Sequence, residues 1–274
     1  MQRIRAFFHA QDFLEVETPI RIKIPCMELH IDAEPSGKAF LRTSPELFHK
    51  RLLAEGHSKI FEIGKCFRQG EFGRLHHPEY TMLEWYKTHA DYKTILADTQ
   101  ALLAQVWPEL PTHWLTLSVE EAFKKWANWN PITIYDEERF EIDLVEKVEP
   151  ALAQIPQPVV LIDYPAEAAA LARLKPNHPQ VAERWELYIY GVEIANAYSE
   201  LIDPNEQRRR FEQCAVQRQQ LGKIAYAIDE DFLAALEKLP PTGGIALGLD
   251  RLIMLMANAN SLDAVLPFRD APSL

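Results

Sequence analysis

The sequence predicts an α+β fold in which mostly antiparallel strands are surrounded by helices. Two hairpin-like pairs carry that expectation. "KIFEIGKCFR" (59–68) and "EYTMLEWY" (79–86) are strand-like runs joined by a turn built on Gly70 and Gly73, and "RWELYIY" (184–190) meets "GVEIANAYSEL" (191–201) across Gly191. The third observation is an exclusion: the chain carries neither Gly-x-Gly-x-x-Gly nor a Walker loop, so a Rossmann or P-loop nucleotide site is not indicated.

In chain order, residues 1–10 read as a short helix, and "FLEVETP" (13–19) as a short strand stopped by Pro19, which cannot continue a ladder. "KAFLRTSPELFHKRLLAEG" (38–56) gives a strand, a break at Ser44-Pro45, and a helix whose Leu47, Phe48, Leu52 and Leu53 recur at helical spacing. Residues 91–106 read as an amphipathic helix. The stretch from about 107 to 160, with several prolines and the capping box Ser118-x-x-Glu121, reads as a helical insertion. "PVVLIDYP" (158–165) returns to strand composition. "PNEQRRRFEQCAVQRQQLG" is a polar helix ended by Gly222, its "EQRRRF" (206–211) fitting a solvated face or, as the alternative, a surface for an acidic protein, and "GGIALGLDRLIMLMANA" is a glycine-rich strand leading into an apolar helix.

Composition bounds the function. A chain of 274 residues, 47% hydrophobic and 25% charged, can hold one large domain with an insertion or two small ones. A formal charge of -11 argues against a protein whose main work is gripping phosphate backbone, which rests on many lysines and arginines. Cys26, Cys66 and Cys214 are far apart and without Cys-x-x-Cys spacing, so they read as buried thiols in a reducing compartment, not as a zinc site. With no 18-residue apolar run and no basic-then-apolar leader, neither a membrane span nor a signal peptide is expected, and the location expected is cytoplasmic.

Strand parity sorts the polar residues. Side chains two apart share a face, so Tyr80, Met82, Glu84 and Tyr86 point one way, Glu62, Gly64, Cys66 and Arg68 share a face of the neighbouring strand, and Asn196, Tyr198 and Glu200 share another. Taken singly, each strand fits a solvated face. Three in one chain fit a partly enclosed surface lined by Glu84, Tyr86, Asn196, Tyr198 and Glu200, which would suit a cation, because desolvated carboxylates without a positive partner are costly. Gly244, Ala246, Gly248 and Asp250 leave a nearly bare strand surface against which a flat ligand could lie, although close helix-strand packing explains such a strand equally well. Arg251 falls at the start of the following helix, where N–H groups and a fixed positive charge favour phosphate.

These residues carry a resemblance. The chain resembles the catalytic core of the class II aminoacyl-tRNA synthetases of the lysine type: "FLEVETP" is similar to their motif 1, "FRQGEFGRLHHPEYTMLEWY" to motif 2 and "GGIALGLDRLIML" to motif 3. "SPELFHKRL" and "WELYIYGVEIANAYSEL" match the segments that bind lysine and metal in that group. The resemblance covers nearly all of the chain and implies an antiparallel sheet flanked by helices, normally as a homodimer. It implies a single catalytic domain over residues 1–274, with the insertion at about 107–160 and no anticodon-binding domain. Within the group the sequence is closer to the paralogue family that ligates (R)-β-lysine to a lysine of elongation factor P. Ala246 stands where the synthetases have glycine, Ser44 in "TSPEL" where they carry alanine, and "MLEWY" has that family's Glu-Trp-Tyr.

What the resemblance implies is ATP-dependent, magnesium-assisted formation of a lysyl adenylate and its transfer to elongation factor P, without tRNA and without a membrane. Arg68 would hold the α-phosphate and the amino-acid carboxylate, and Arg251 the γ-phosphate. His76 would lie near the phosphates, Tyr80 would stack on adenine, and Glu71 would contact it in place of the glutamate that the family carries where this chain has Gly70. Glu186 and Glu193 would hold Mg2+, with Glu186 also counted in the ATP site. Glu46 would receive the nearer amino group, and Glu84, Tyr86 and Glu200, helped by Asn196 and Tyr198, the distal ammonium. Ser44, Ala246 and Gly248 would shape the amino-acid pocket, and His77 would be structural. Two other readings stay open here: a truncated lysyl-tRNA synthetase charging tRNA, and a catalytically silent paralogue acting as a binding or regulatory subunit.

Overall fold

The computed structural model describes residues 1–268. Helix α1 (Gln2–Ala10) is followed by β1 (Leu14–Glu15), β2 (Arg21–Ile22), β3 (Pro35–Ser36), β4 (Ala39–Leu41), α2 (Glu46–Ala54), β5 (Lys59–Phe67) and β6 (Glu79–Thr88). Next come α3 (Tyr92–Val106), β7 (Leu115–Ser118), α4 (Val119–Trp126), α5 (Glu137–Asp143), a π-helical turn at Leu144–Val148, α6 (Glu149–Leu152) and β8 (Val159–Pro165). The chain ends with β9 (Leu174–Lys175), β10 (His178–Ile189), β11 (Val192–Ser199), α7 (Pro204–Gln220), α8 (Glu230–Leu236), β12 (Thr242–Gly248) and α9 (Leu249–Met256). "FLEVETP" therefore yields a strand of only two residues.

The chain divides into two compact units, one formed by Met1–Gln11, His89–Leu201 and Pro241–Leu247, the other by Asp12–Thr88, Ile202–Pro240 and the segment from Gly248 on. In the first unit the strands run in the order β12-β11-β10-β8-β7, with β9 also on β10. All these pairs are antiparallel except β7–β8. Parallel neighbours need a crossover, and the insertion supplies it: α4, α5 and α6 lie in sequence between β7 and β8. The insertion thus carries a strand as well as helices. Its Val119, Phe123, Phe140, Val148 and Leu152 pack with Val159, Leu161, Tyr164 and Tyr188, the rings of Phe123 and Phe140 stacking at 4.7 Å. The capping box closes as the sequence predicts, Glu121 N donating to Ser118 Oγ (3.1 Å) and Ser118 N to Glu121 Oε2 (2.8 Å).

The β10–β11 hairpin turns through Tyr190 (φ 52°) and Gly191 (φ 75°), the two left-handed residues of a primed turn. A Cβ built on Gly191 would meet Ala153 Cβ at 2.5 Å. Gly191→Ala is therefore expected to destabilise the protein by about 1–3 kcal/mol, combining backbone strain with overpacking. A urea midpoint indistinguishable from that of the parent would contradict this.

In the second unit β1 pairs in parallel with β5, β5 antiparallel with β6, and β2-β4-β3 form a small separate sheet. Helix α2 buries Leu47 and Leu53 but also His49 and Lys50, while Phe48 and Leu52 are half-buried. The apolar face read from the sequence is thus rotated towards two cationic side chains. Cys26 and Cys66 are buried as expected, whereas Cys214 is only half-buried; burial pushes the Cys66 thiol up to about 12. On polar α7, Glu206 pairs with Arg209 and Arg210, which fits a solvated face. Arg218, fully buried, donates to the carbonyls of Glu28 (2.6 Å) and Ile31 (3.0 Å) and pairs with Asp32, so one guanidinium satisfies a loop that has no ladder of its own. Among the described residues no helix is long and apolar enough to cross a membrane.

Candidate active site

In the second unit the turn between β5 and β6 is held open in a fixed shape. Gly70 takes a left-handed φ of 77°, a conformation that a glutamate would adopt only under strain, and Glu71 follows it. Arg68 N donates to Pro78 O (2.9 Å), and Arg251 Nε reaches across from α9 to Leu75 O (3.1 Å). Arg251 Nη2 lies 2.7 Å from His76 Nε2. Burial, and then the nearby Arg251 guanidinium, hold the His76 pKa below its ordinary value, so His76 is neutral near pH 7 and accepts from the arginine with its own proton on Nδ1. The Arg68 guanidinium sits 5.2 Å from the centre of the Tyr80 ring and 3.7 Å from Glu71. Tyr80 is fixed by its hydroxyl, which donates to Thr43 O (2.7 Å). Arg68, Glu71, His76, Tyr80 and Arg251 are thus brought together as two arginines around a loop, a constellation suited to polyphosphate. Gly248 caps α9, and Asp250 is anchored by Thr81 N (2.7 Å). His77 Nδ1 bonds Glu79 O (2.7 Å) at the start of β6.

The acids form a second cluster in this unit. Strand register sets Glu62 directly opposite Glu84, both on the face that also carries Tyr86 and Tyr80. Both are buried, at 2% and 0% exposure, so the face is not solvated. Glu84 Oε1 accepts from Ser44 Oγ (2.7 Å) and Oε2 from Tyr86 Oη (2.8 Å). Ser44 Oγ also accepts from Glu46 N (3.0 Å), which ties the start of α2 to Glu84. Glu46 pairs with the buried Lys50 at 2.6 Å, and burial nevertheless raises its pKa. Glu62 accepts from Arg42 (2.7 Å), Thr18 Oγ1 (2.7 Å) and His49 Nε2 (2.9 Å). Burial alone would raise the Glu62 pKa, but His49, Arg42 and Thr18 together bring it below the usual range. Gly64 exists here for space, since a Cβ would lie 2.1 Å from Arg42 Nη2. Parity alone did not find Arg42, His49 or Glu62 as site residues; the available signal was the polar i, i+3, i+4 set Glu46, His49, Lys50 in one helix.

The remaining predicted residues lie in the first unit. Glu186 is directly opposite Asn196, and Asn196 opposite Ala246, so the three form a row across β10, β11 and β12; Tyr198 lies between Arg184 and Gly244 in the next row. Alternation would put Glu193 on the other face. The register shift after Leu187 leaves Ile194 as an extra residue, pairs Glu193 with Tyr188, and so turns Glu193 to the side of Glu186. Glu186 accepts from Tyr164 Oη (2.6 Å), Tyr188 Oη (2.7 Å) and Arg184. Asn196 Nδ2 donates to Tyr198 Oη (2.8 Å), while no donor among the described residues reaches the buried Asn196 Oδ1. Glu200 is 1% exposed, and its N–H donates to Thr242 O (2.8 Å). The glycine-rich strand serves packing too: a Cβ on Gly243 would meet Ile95 Cγ1 at 2.7 Å and Asp91 O at 2.8 Å.

Residues 1–271 match the family model for tRNA synthetases class II (D, K and N). The chain belongs to this family. Class II synthetases of this family use ATP, and the lysine-type motifs expected from the sequence fall on β1, on the β5–β6 hairpin and on β12–α9. Within the class II family the chain is similar to proteins named elongation factor P–(R)-β-lysine ligase. It is 37% identical to the one from Hamiltonella defensa, over 98% of this chain and 92% of that relative. It is 36% identical to those of Mannheimia succiniciproducens, over 98% and 92%, and Haemophilus influenzae, over 97% and 91%.

Proposed function

We propose that this class II enzyme activates lysine, with (R)-β-lysine preferred, as the adenylate at the expense of ATP, and transfers it to a lysine side chain of elongation factor P. The observation that carries this reading is the near full-length likeness, at 36–37% identity, to ligases of that name. The chemistry of the side chains supports it. Arg68 and Arg251 would neutralise the triphosphate while the amino-acid carboxylate attacks the α-phosphorus and pyrophosphate leaves; the acceptor amine then displaces AMP. Positioning and charge neutralisation do this work, and no side-chain nucleophile is needed. In the second unit Glu84 with Ser44 and Tyr86, and Glu46, would supply acceptors for an ammonium group, and in the first unit Glu200, Asn196 and Tyr198 would do so.

The acids sharing the β10–β11 face suit magnesium, a hard cation that takes carboxylate oxygens. Three of the roughly four lone-pair positions of Glu186 are taken by Arg184, Tyr164 and Tyr188, so Glu193, half-buried, would be the main ligand and Glu186 would keep one position on Oε1. An ion held there would supply positive charge that can offset phosphate. The enzyme would act as a cytoplasmic homodimer without tRNA.

Amino-acid-dependent ATP–pyrophosphate exchange with α-lysine and (R)-β-lysine side by side tests this, followed by mass analysis of elongation factor P. Preference for the β isomer and a mass increase of one lysyl unit are expected. Exchange with neither would sink the reading, and aminoacylation of tRNA would replace it with a synthetase. Ala246→Gly removes the methyl group next to Asn196 and is expected to shift the preference ratio towards α-lysine by about tenfold, the usual scale for one methyl group in a pocket. An unchanged ratio would remove Ala246 from the specificity determinants.

A further inference from the structure

The acid cluster in the second unit contains a histidine in an unusual electrostatic setting. His49 is completely buried, and both its ring nitrogens face carboxylates: Nε2 is 2.9 Å from Glu62 Oε2 and Nδ1 is 3.5 Å from Glu84 Oε2. A neutral imidazole bears a lone pair on one nitrogen, which would then point at an anionic oxygen; only the imidazolium has a proton for each side. The two contacts are unequal. Nε2 makes a hydrogen bond, whereas Nδ1 makes none and faces Glu84 at a distance.

The charges around it balance. The preceding loop contributes Arg42, β5 contributes Glu62, and β6 contributes Glu84 together with Tyr86, whose ring centre is 5.2 Å from that of His49. On α2 itself, Glu46 and Lys50 neutralise one another. Two carboxylates, Glu62 and Glu84, are therefore matched by Arg42 and protonated His49, and the buried cluster is neutral before any substrate arrives. An ammonium delivered to Glu84 would leave one surplus positive charge in a site that excludes water, and such a surplus is expensive.

We infer that His49 is a positioning residue that stands in for the substrate's ammonium: protonated, it compensates Glu84 in the empty site, and it gives up its Nδ1 proton to solvent when the ammonium takes that place. Nε2–H stays on Glu62, so the ring keeps its orientation, and amino-acid binding is coupled to the release of one proton. The inference rests on the reading of Glu84 as the ammonium site. Burial alone would lower the His49 pKa, but its bonding to Glu62 and the charge of Glu84 hold it above the ordinary histidine value, so the ring keeps its proton to a higher pH than an ordinary histidine does. The sign follows: below that pKa the proton competes with substrate, and the competition fades as pH rises.

The test is ATP–pyrophosphate exchange from pH 6 to 8 with the parent, His49→Met and His49→Gln, the two variants guarding against failure of either to fold. In this window the substrate's distal ammonium stays charged. For the parent, KM for the amino acid should fall as pH rises towards the ring pKa, by at most about tenfold per pH unit, the limit for one linked proton, and level off above it, with kcat nearly constant. In the variants that slope should vanish. A slope equal to the parent's in either folded variant would overturn the inference. A purely structural His49 would lower the melting temperature and leave the slope alone. In parallel, the His49 ring titration is followed by NMR with and without added lysine, whose presence should lower the ring pKa; no change would also overturn the inference. If no lysine isomer supports exchange, the function reading fails, and the NMR titration still decides the role of His49.

Discussion

Replacing Arg251 by alanine is expected to reduce ATP–pyrophosphate exchange by about 10²–10³-fold or more, the scale seen when one preorganised charge-stabilising donor is removed. Arg251 is placed by α9 and by its bond to Leu75 O, and its Nη2 is the partner of His76. Its loss would remove one of the two cations near the loop and let the His76 pKa rise, since Arg251 is one of the causes that depress it. The fold should survive, because the side chain is only half-buried and α9 keeps its apolar contacts through Leu249, Leu252 and Met254. Turnover within a few fold of the parent would remove Arg251 from the phosphate site. A protein that no longer melts cooperatively would instead make it structural.

Arg42→Leu should have the largest effect on stability, a loss of about 3–5 kcal/mol. Arg42 is 1% exposed, and its side chain bonds the buried Thr18 (O and Oγ1 at 3.1 and 2.7 Å) and Glu62 (2.7 Å) and the half-buried Lys65 (O at 2.9 Å). The leucine would fill much of the space but leave Glu62 opposite Glu84 with His49 as the only cation between two anions. Breaking one partner of a buried pair costs far more than the pair is worth, since the remaining charge stays desolvated. Urea unfolding at pH 7 measures the loss, and a change below about 1 kcal/mol would show that Glu62 can be neutralised by other means.

Much of this architecture is legible in local sequence. Gly191 marks the β10–β11 turn because a primed turn needs left-handed backbone, and Ser118-x-x-Glu121 marks the start of α4 because the two side chains satisfy each other's backbone. The hairpin of β5 and β6 is visible from composition alone. The long-range arrangement was not visible in the same way. Which residue of β5 stands opposite Glu84 depends on register, and the parity rule leaves that register open; it emerges only once the turn is shaped by Gly70. The side on which Glu193 lies depends on a bulge, where one extra residue reverses every later assignment. The parallel pairing of β7 with β8 likewise depends on a crossover through the insertion. His49 was hidden for another reason: its spacing from Glu46 and Lys50 marks a polar helix face, but its role is set by acids on two other strands.

Arg218 has a consequence for the order of events during synthesis. Its hydrogen bonds reach residues 28 to 32, across as many as 190 positions of chain. The unit that they stabilise is assembled from three separated stretches, the first ending at Thr88 and the second beginning at Ile202. By the time residue 201 has been added, residues 12–88 have left the exit tunnel, still without the guanidinium that completes their loop. Contacts so distant in sequence are slow to close. The amino-terminal third of this chain therefore waits for its partner, exposed to chaperones and proteases in the meantime, and a slowly translated stretch between residues 89 and 201 would lengthen that exposure.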